Sequence, residues 1–316
     1  MIVPNEDIKN EYFYAFLTCE YGKKLINRRI TGTVPLSIDK ETLKSIPVPL
    51  FDKIFQNLIK KKIDSFLFHQ NNSKKKFYEA EKILLDDLGL YNWNPGYKNY
   101  FIKNFSKTES FKRFDSEYFN PLYEQLINKI KSYDNGSDNL NKLILINDDN
   151  FDPVDKEYYN YIELSHISSN GIINKIPETQ GDLLPTRARR IVKTNDVLIS
   201  SVEGSLSSIA LINSDLNNYL CSTGFFLLTS DKFNPETLMV LMKSIVGQLQ
   251  LKKGCSGTIL TAITKEVLKK ITLPIIKKKI QENIKKKIIE MYKEKSLALS
   301  ELKNARRLID ERINKS

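Results

Sequence analysis

The stretch PTRARRIVK sets Arg187, Arg189, Arg190 and Lys193 close together, just ahead of the apolar run DVLIS. A guanidinium offers two parallel N–H donors in a fixed fork, which can clamp a phosphate or read the O6 and N7 of guanine, and a lysine adds a point charge. If this approach is extended, Arg187 and Arg189 share one face. A solvated surface run would give the same pattern. A second set lies in LKKGCSGT, where Lys252, Lys253, Ser256 and Thr258 supply donors around two glycines that let a backbone come close. The stretch NRRITGT has the same character, with Arg28, Arg29, Thr31 and Thr33.

Residues for covalent or acid–base chemistry are poorer. Asn94-Pro95-Gly96-Tyr97 resembles the Asn-Pro-Pro-Tyr loop of adenine-N6 methyltransferases, but it has Gly where the second Pro belongs and sits in a connecting segment. No glycine-rich loop follows a strand to hold an adenosyl cofactor. His69 falls on the polar flank of a helix and His166 in a strand, and neither has the partner spacing of a triad or of HExxH. Both read as structural, and no catalytic residue, metal ligand or cofactor is expected.

With 49 Lys and Arg against 38 Asp and Glu, the net charge is +11. That excess suits a polyanion such as nucleic acid, although a Lys-, Asn- and Ile-rich composition also drifts basic by itself. Cys19, Cys221 and Cys255 form no CxxC pair, as in a reducing compartment. The opening MIVPNEDIKN has neither a basic start nor an apolar run, and no segment approaches the ~18 apolar residues of a membrane span. A cytoplasmic setting without a membrane is expected.

The chain repeats itself. TGTVPLSIDKETLKSIPVPL from Thr31 aligns without a gap on SGTILTAITKEVLKKITLPI from Ser256, sharing Gly32/Gly257, Lys40/Lys265, Glu41/Glu266, Ile46/Ile271 and Pro49/Pro274. The match, offset by 225 positions, continues through Gly22/Gly247, Gln56/Gln281 and a shared IKKKI. So long a period implies domain-sized copies rather than a solenoid. Pro49 and Pro274 each precede a Lys-rich helical pattern. In the second helix Ile288, Met291, Lys295, Ala298, Leu302, Ala305 and Ile309 step by three and four, and in the first Ile63, Phe66, Gln70, Ser73, Phe77, Ala80 and Leu84 repeat the pattern in register. A stripe of this kind can pack on its own domain, but roughly 35 residues is about three times a typical helix, which favours antiparallel pairing of the two.

Between the helices, YNWNPGYKNYFIKNFSKTES reads as a connection. FKRFDSEYFNPLYEQLINKIKSY reads as an extended lead and a helix, and YNYIELSHI, DVLISSVEG, SSIALI and TGFFLLTS as strands. NPETLMVLMKSIVGQLQLKK is apolar at helical spacing, with Asn234-Pro235 as its cap.

FDSEYFNP, ARRIVKTNDVLISSVEGSLSSIALI, CSTGF and the closing GCSGTILTAITKEVLKKITLPI ahead of a long charged helix together resemble the specificity subunit of type I restriction-modification systems. The resemblance implies an α+β fold, with a mixed, mostly β target-recognition domain and long helices forming an antiparallel coiled coil. It implies double-stranded DNA as ligand, adenine methyltransferase (modification) subunits as partners, the restriction endonuclease subunit as a further one, and no catalysis by the chain. It divides the chain into the end of a first recognition domain (1–50), a first long helix (51–90), a connector (91–110), a complete recognition domain (111–275) and a second long helix (276–316). Ile63, Phe66, Phe77, Leu84, Ile288, Met291, Leu302 and Ile309 become helix-pairing residues, and Arg187 to Arg190 and Gly257-Thr258 DNA-facing ones. With one complete reader against a target of two halves, a homodimer or a second specificity chain is expected to supply the other.

Overall fold

Helix α4 (Lys53–Asp87) and helix α11 (Lys278–Asn314) bury the heptad stripe read from the sequence. In a computed structural model that describes residues 4, 6–32, 36–96, 100–111, 113–213, 219–256 and 261–315, the remaining elements follow in chain order. Helices α1 (Asn10–Thr18), α2 (Glu20–Asn27) and α3 (Lys40–Lys44) precede α4. After it come α5 (Phe105–Phe111), α6 (Pro121–Lys131), β1 (Ser137–Asn139), α7 (Leu140–Leu143), β2 (Leu145–Asn147), β3 (Tyr158–Ile162) and β4 (Glu178–Gln180). Then follow β5 (Ala188–Ile191), β6 (Val197–Ser200), β7 (Ile209–Leu211), β8 (Tyr219–Ser222), β9 (Phe225–Thr229), α8 (Pro235–Lys243), α9 (Ile245–Gly254), α10 (Lys265–Leu268) and β10 (Thr272–Pro274).

The chain forms two compact units. One comprises Met1–Lys76 with Ile289–Ser316, the other Phe77–Ile288. In the first, Ile63, Phe66, Leu302 and Ile309 share a core with Tyr12, Phe16, Ala298 and Ala305. Across this core Lys62 pairs with Glu301 (3.1 Å), His69 with Glu294 (2.7 Å) and Lys76 with Glu290 (2.9 Å), so residue numbers rise on α4 as they fall on α11. The pairing is antiparallel, as expected. His69 and Glu294 are repeat counterparts, 225 residues apart, and meet at the centre of the pair. Ser73 closes another polar height by donating to the Met291 carbonyl at 3.0 Å. Half-buried Lys295 is desolvated, which lowers its pKa. Phe77, Leu84, Ile288 and Met291 are also buried.

In the second unit two four-stranded sheets run in the orders β2-β9-β6-β7 and β4-β3-β8-β5, and β1 pairs β10 in a ribbon of its own. All pairings are antiparallel except β3 with β8. Ile162, Val192 and Cys221 share one core with Leu198, Phe225 and Leu227, so the inner faces of the two sheets close on each other. The chain is mixed α and β, as expected.

Three details depart from the expectation. The apolar run after Asn234 is two helices, because Ser244 breaks it and caps α9 by accepting from the Val246 N–H. The glycine at 247 is obligatory there, since a Cβ would lie 2.4 Å from the Met242 carbonyl oxygen. The connector holds a two-turn helix, α5. His166 lies in a single helical turn after β3, accepting at Nδ1 from the Glu163 N–H (3.1 Å), not in the strand. Pro274 precedes the second long helix as expected, ending strand β10 ahead of Lys278.

The sequence repeat is also a repeat of local structure. α1, α2 and α3 correspond to α8, α9 and α10, the bridge Thr31↔Ser37 to Ser256↔Ala262, and the N-cap Asp39 to Thr264. Gln56 is buried, its amide nitrogen donating to the Asp7 and Phe51 carbonyls while its oxygen accepts from Lys9 N–H. Gln281 makes the same three bonds, to Lys232 and Ile276 carbonyls and from Asn234 N–H, at 2.8 to 2.9 Å. One pair of counterparts differs in charge. Lys243 donates to the Ser207 carbonyl (2.8 Å) near Glu81, whereas the equivalent Thr18 accepts from Arg306, which stands where Glu81 does.

Gln56→Leu and Gln281→Leu should each destabilise by more than about 2 kcal/mol, because each leaves several buried main-chain groups unpaired at about 1–3 kcal/mol apiece. Amide exchange should show each loss first in the unit that holds the substitution. A second expectation concerns Lys243, whose pKa burial holds down to about 8, against about 10.4 for an unfolded lysine. Between those values the folded chain binds fewer protons, so stability should rise with pH from about 8 to about 10. Lys243→Met should remove that rise in a denaturation series, and a rise that persists would assign it to another group.

Candidate nucleic-acid interface

β5 is an edge strand: Ala188 and Val192 are buried, while Arg187, Ile191 and Lys193 are exposed and Arg189 is half-exposed. A bulge between Ala188 and Arg190 interrupts strict alternation, and Arg187 and Arg189 are both accessible along this edge. Arg189 is not free on it: its guanidinium pairs with Asp152, and its Nε donates to the Thr186 carbonyl (3.0 Å). Arg190 faces the other way. It is half-buried and donates to the Phe225 carbonyl, so it holds the two sheets together.

The second basic set belongs to the last turn of α9 rather than to a loop. Lys252 is exposed and pairs with Glu117 at 3.2 Å, an exposed contact of small strength that salt screens. Lys253 lies over the rings of Tyr118 (5.1 Å) and Tyr123 (5.9 Å), and desolvation lowers its pKa. Ser256 is exposed in its bridge with Ala262. Thr258, Gly257, Thr33 and Tyr97 lie outside the described residues.

The two sets are joined through loops. Thr223 N–H donates to the Arg187 carbonyl (2.9 Å), Ser201 N–H to Gly224 (2.9 Å) and Ile263 N–H to Ser201 (2.8 Å), and Ala262 bridges Ser256. Three main-chain hydrogen bonds and one bridge thus tie the rim of β5 to the loop after α9. The loop between β6 and β7 completes a shallow cavity with α9, lined by Glu203, Gly204, Ser207, Gln248 and Lys252.

Sequence reading passed over a neighbouring cluster. Arg113 stacks over Tyr118 at 4.4 Å while its fork holds Asp115 at 2.7 and 3.0 Å, and Phe111, Tyr118, Phe119 and Lys253 line a notch. The alternation of basic and aromatic residues in FKRFDSEYF was the available signal. Among the described residues no group of His, Cys, Asp and Glu could hold a metal, and the three cysteines are buried thiols that burial pushes up, Cys221 to about 12. No described helix is long and apolar enough to cross a membrane.

No protein-family model matches the chain, and no curated protein does. Solved structures that resemble it include three S-subunit or type I R-M structures. One is the HsdS subunit from Thermoanaerobacter tengcongensis, at 27% identity over 48% of this chain and 40% of that one, TM-score 0.42. Another concerns the assembly and conformational transition of the type I R-M system, at 25% identity over 57% and 45%, TM-score 0.42. The third is the type I restriction-modification S subunit from M. genitalium, at 15% identity over 96% and 71%, TM-score 0.42. The chain is similar to S subunits of type I restriction-modification systems. It spans less than half the length of the first two proteins.

Proposed function

We propose that the chain is a DNA sequence-recognition subunit of a type I restriction-modification complex, reading part of an interrupted target and docking adenine methyltransferase subunits. The observation that carries the reading is the β5 face, where Arg187 and Lys193 stand exposed and Arg189 is held by a single carboxylate on a strand edge. A net charge of +11 supplies the non-specific attraction. Lys252 and Ser256, one loop away, supply phosphate contacts that set the register, and the arginines supply the base-specific ones. Asp152 keeps the Arg189 fork in place until guanine or phosphate replaces it, so the side chain is ordered before it binds. The helix pair spaces this reader from a second one, contributed by another chain or another copy. The chain itself transfers no methyl group.

Arg187→Ala and Arg189→Ala should each weaken binding to the cognate duplex by about 1–3 kcal/mol, with relaxed preference at one base pair. Lys252→Ala should instead weaken all sequences alike and flatten the salt dependence. Fluorescence anisotropy on cognate and scrambled duplexes, after the target has been found by comparing methylation in cells with and without the gene, measures both. Unchanged cognate affinity in a folded Arg187→Ala, Arg189→Ala chain would remove the β5 face from the interface. Methyl transfer from labelled S-adenosylmethionine by the isolated chain would overturn the non-catalytic reading.

A further inference from the structure

Beside the end of α9, the lead FKRFDSEYFN folds into a notch of about 220 Å³ lined by Phe111, Tyr118, Phe119, Asn120, Glu124 and Lys253. The charges around it are matched except for one. Arg113 holds Asp115 at 2.7 Å, Lys103 holds Glu124 at 2.9 Å and Lys252 holds Glu117 at 3.2 Å, so the cation left over is Lys253. Among the described residues its ammonium makes no hydrogen bond and no ion pair. It lies over the rings of Tyr118 and Tyr123, which fix its place without neutralising it. Asn120 also has bonding capacity to spare: its side-chain oxygen accepts from the Leu122 N–H at 3.0 Å, and its amide nitrogen has no partner among the described residues.

The walls are aromatic. Phe111 packs at 5.6 Å on Tyr118 and at 6.3 Å on the buried Phe119, yet stays 55% exposed. Phe105 and Phe114, 6.2 Å apart, are 69% and 72% exposed. The sequence around these rings is basic. From Lys98 to Arg113 five cations stand against Glu109 alone, interleaved with Tyr100, Phe101, Phe105 and Phe111. An exposed ring, a spare amide donor and an unpaired ammonium at one notch are complementary to a nucleotide, whose base stacks, whose base carbonyl accepts and whose phosphate is anionic. The notch is smaller than the about 300–1,000 Å³ of sites that enclose a whole ligand, and suits one planar base. In a duplex both faces of a base are covered by its neighbours, so only a base outside the stack can lie on Phe111. A single carboxylate of a peptide could satisfy Lys253, but the run of five cations matches a strand with a charge on every residue.

We infer that this notch binds an unpaired nucleotide of a nucleic-acid strand, with the base on Phe111, the Asn120 amide on a base carbonyl and Lys253 on the phosphate. Tyr118 is a positioning residue, since its ring carries Arg113 at 4.4 Å as well as Lys253. Lys252, the chain neighbour of Lys253, is a proposed duplex contact, so the notch adjoins that surface. The inference rests on the nucleic-acid reading of the chain, but not on the sequence preference assigned to β5.

The probes are a fluorescein-labelled oligothymidylate of about fifteen nucleotides and an abasic strand of the same length, added to the full chain at low salt. By anisotropy the thymidylate should bind about tenfold or more tightly than the abasic strand. Phe111→Ala should lose that advantage and leave duplex binding unchanged, which also shows that the variant is folded. Phe111→Trp should keep it. The only tryptophan of the chain is Trp93, so quenching by thymidylate that appears only in Phe111→Trp reports a base on that ring. Lys253→Gln should reduce the slope of log affinity against log salt for the thymidylate by about 0.7, the loss of one phosphate contact. Equal affinity for the two strands, absence of quenching in Phe111→Trp, or equally tight binding of an oligoglutamate of the same charge would overturn the inference. A chain that binds duplex but does not distinguish the two single strands overturns this inference alone. A chain that prefers the thymidylate but treats all duplexes alike upholds it, and overturns the sequence-reading role instead.

Discussion

A buried glutamine amide with three main-chain partners fixes each copy of the repeat to its long helix. Gln56 holds the start of α1 and the turn into α4, and Gln281 holds the start of α8 and the turn into α11. The amide has little freedom, since its oxygen takes one N–H and its nitrogen two carbonyls, all inside the protein. With those groups satisfied, the helix leaves its small domain in one direction. The seam residues then bury without rotating away from their partners.

Along the seam the apolar positions would let the helices slide by a heptad, and the polar heights oppose that. His69 against Glu294, Ser73 against the Met291 carbonyl, and Lys62, Lys76 and Lys287 with their glutamates are all satisfied in one register. A single-heptad shift would separate all of them. The ion pairs are half-buried and single, so their effect is on alignment more than on stability.

The heptad stripe, the helix lengths and the repeat could be read from the sequence because each is a spacing within one segment. The break at Ser244 could not, since one serine in an apolar run does not interrupt helical periodicity; its extended backbone and its cap on the Val246 N–H make the break, and only glycine at 247 fits beside Met242. The basic stretch at 187–193 was legible as a cluster, but the bulge between Ala188 and Arg190, which interrupts the alternation, was not. That Asp152 holds Arg189 and that Arg190 points inward to Phe225 depend on tertiary neighbours 37 and 35 residues away, which no local pattern encodes.

Two near-duplicate modules in one chain create a problem during synthesis, when either could dock on either helix before the other is complete. The pair Lys243 and Glu81, and its counterpart Thr18 and Arg306, separate the two outcomes. If α8 settled on the far end of α11, Lys243 would be left beside Arg306, two cations in a poorly hydrated contact. If α1 settled on the end of α4, Glu81 would lose its cation. One charge reversal between otherwise matching sites thus biases the nascent chain toward the correct assembly, a kinetic role distinct from any contribution to the finished fold.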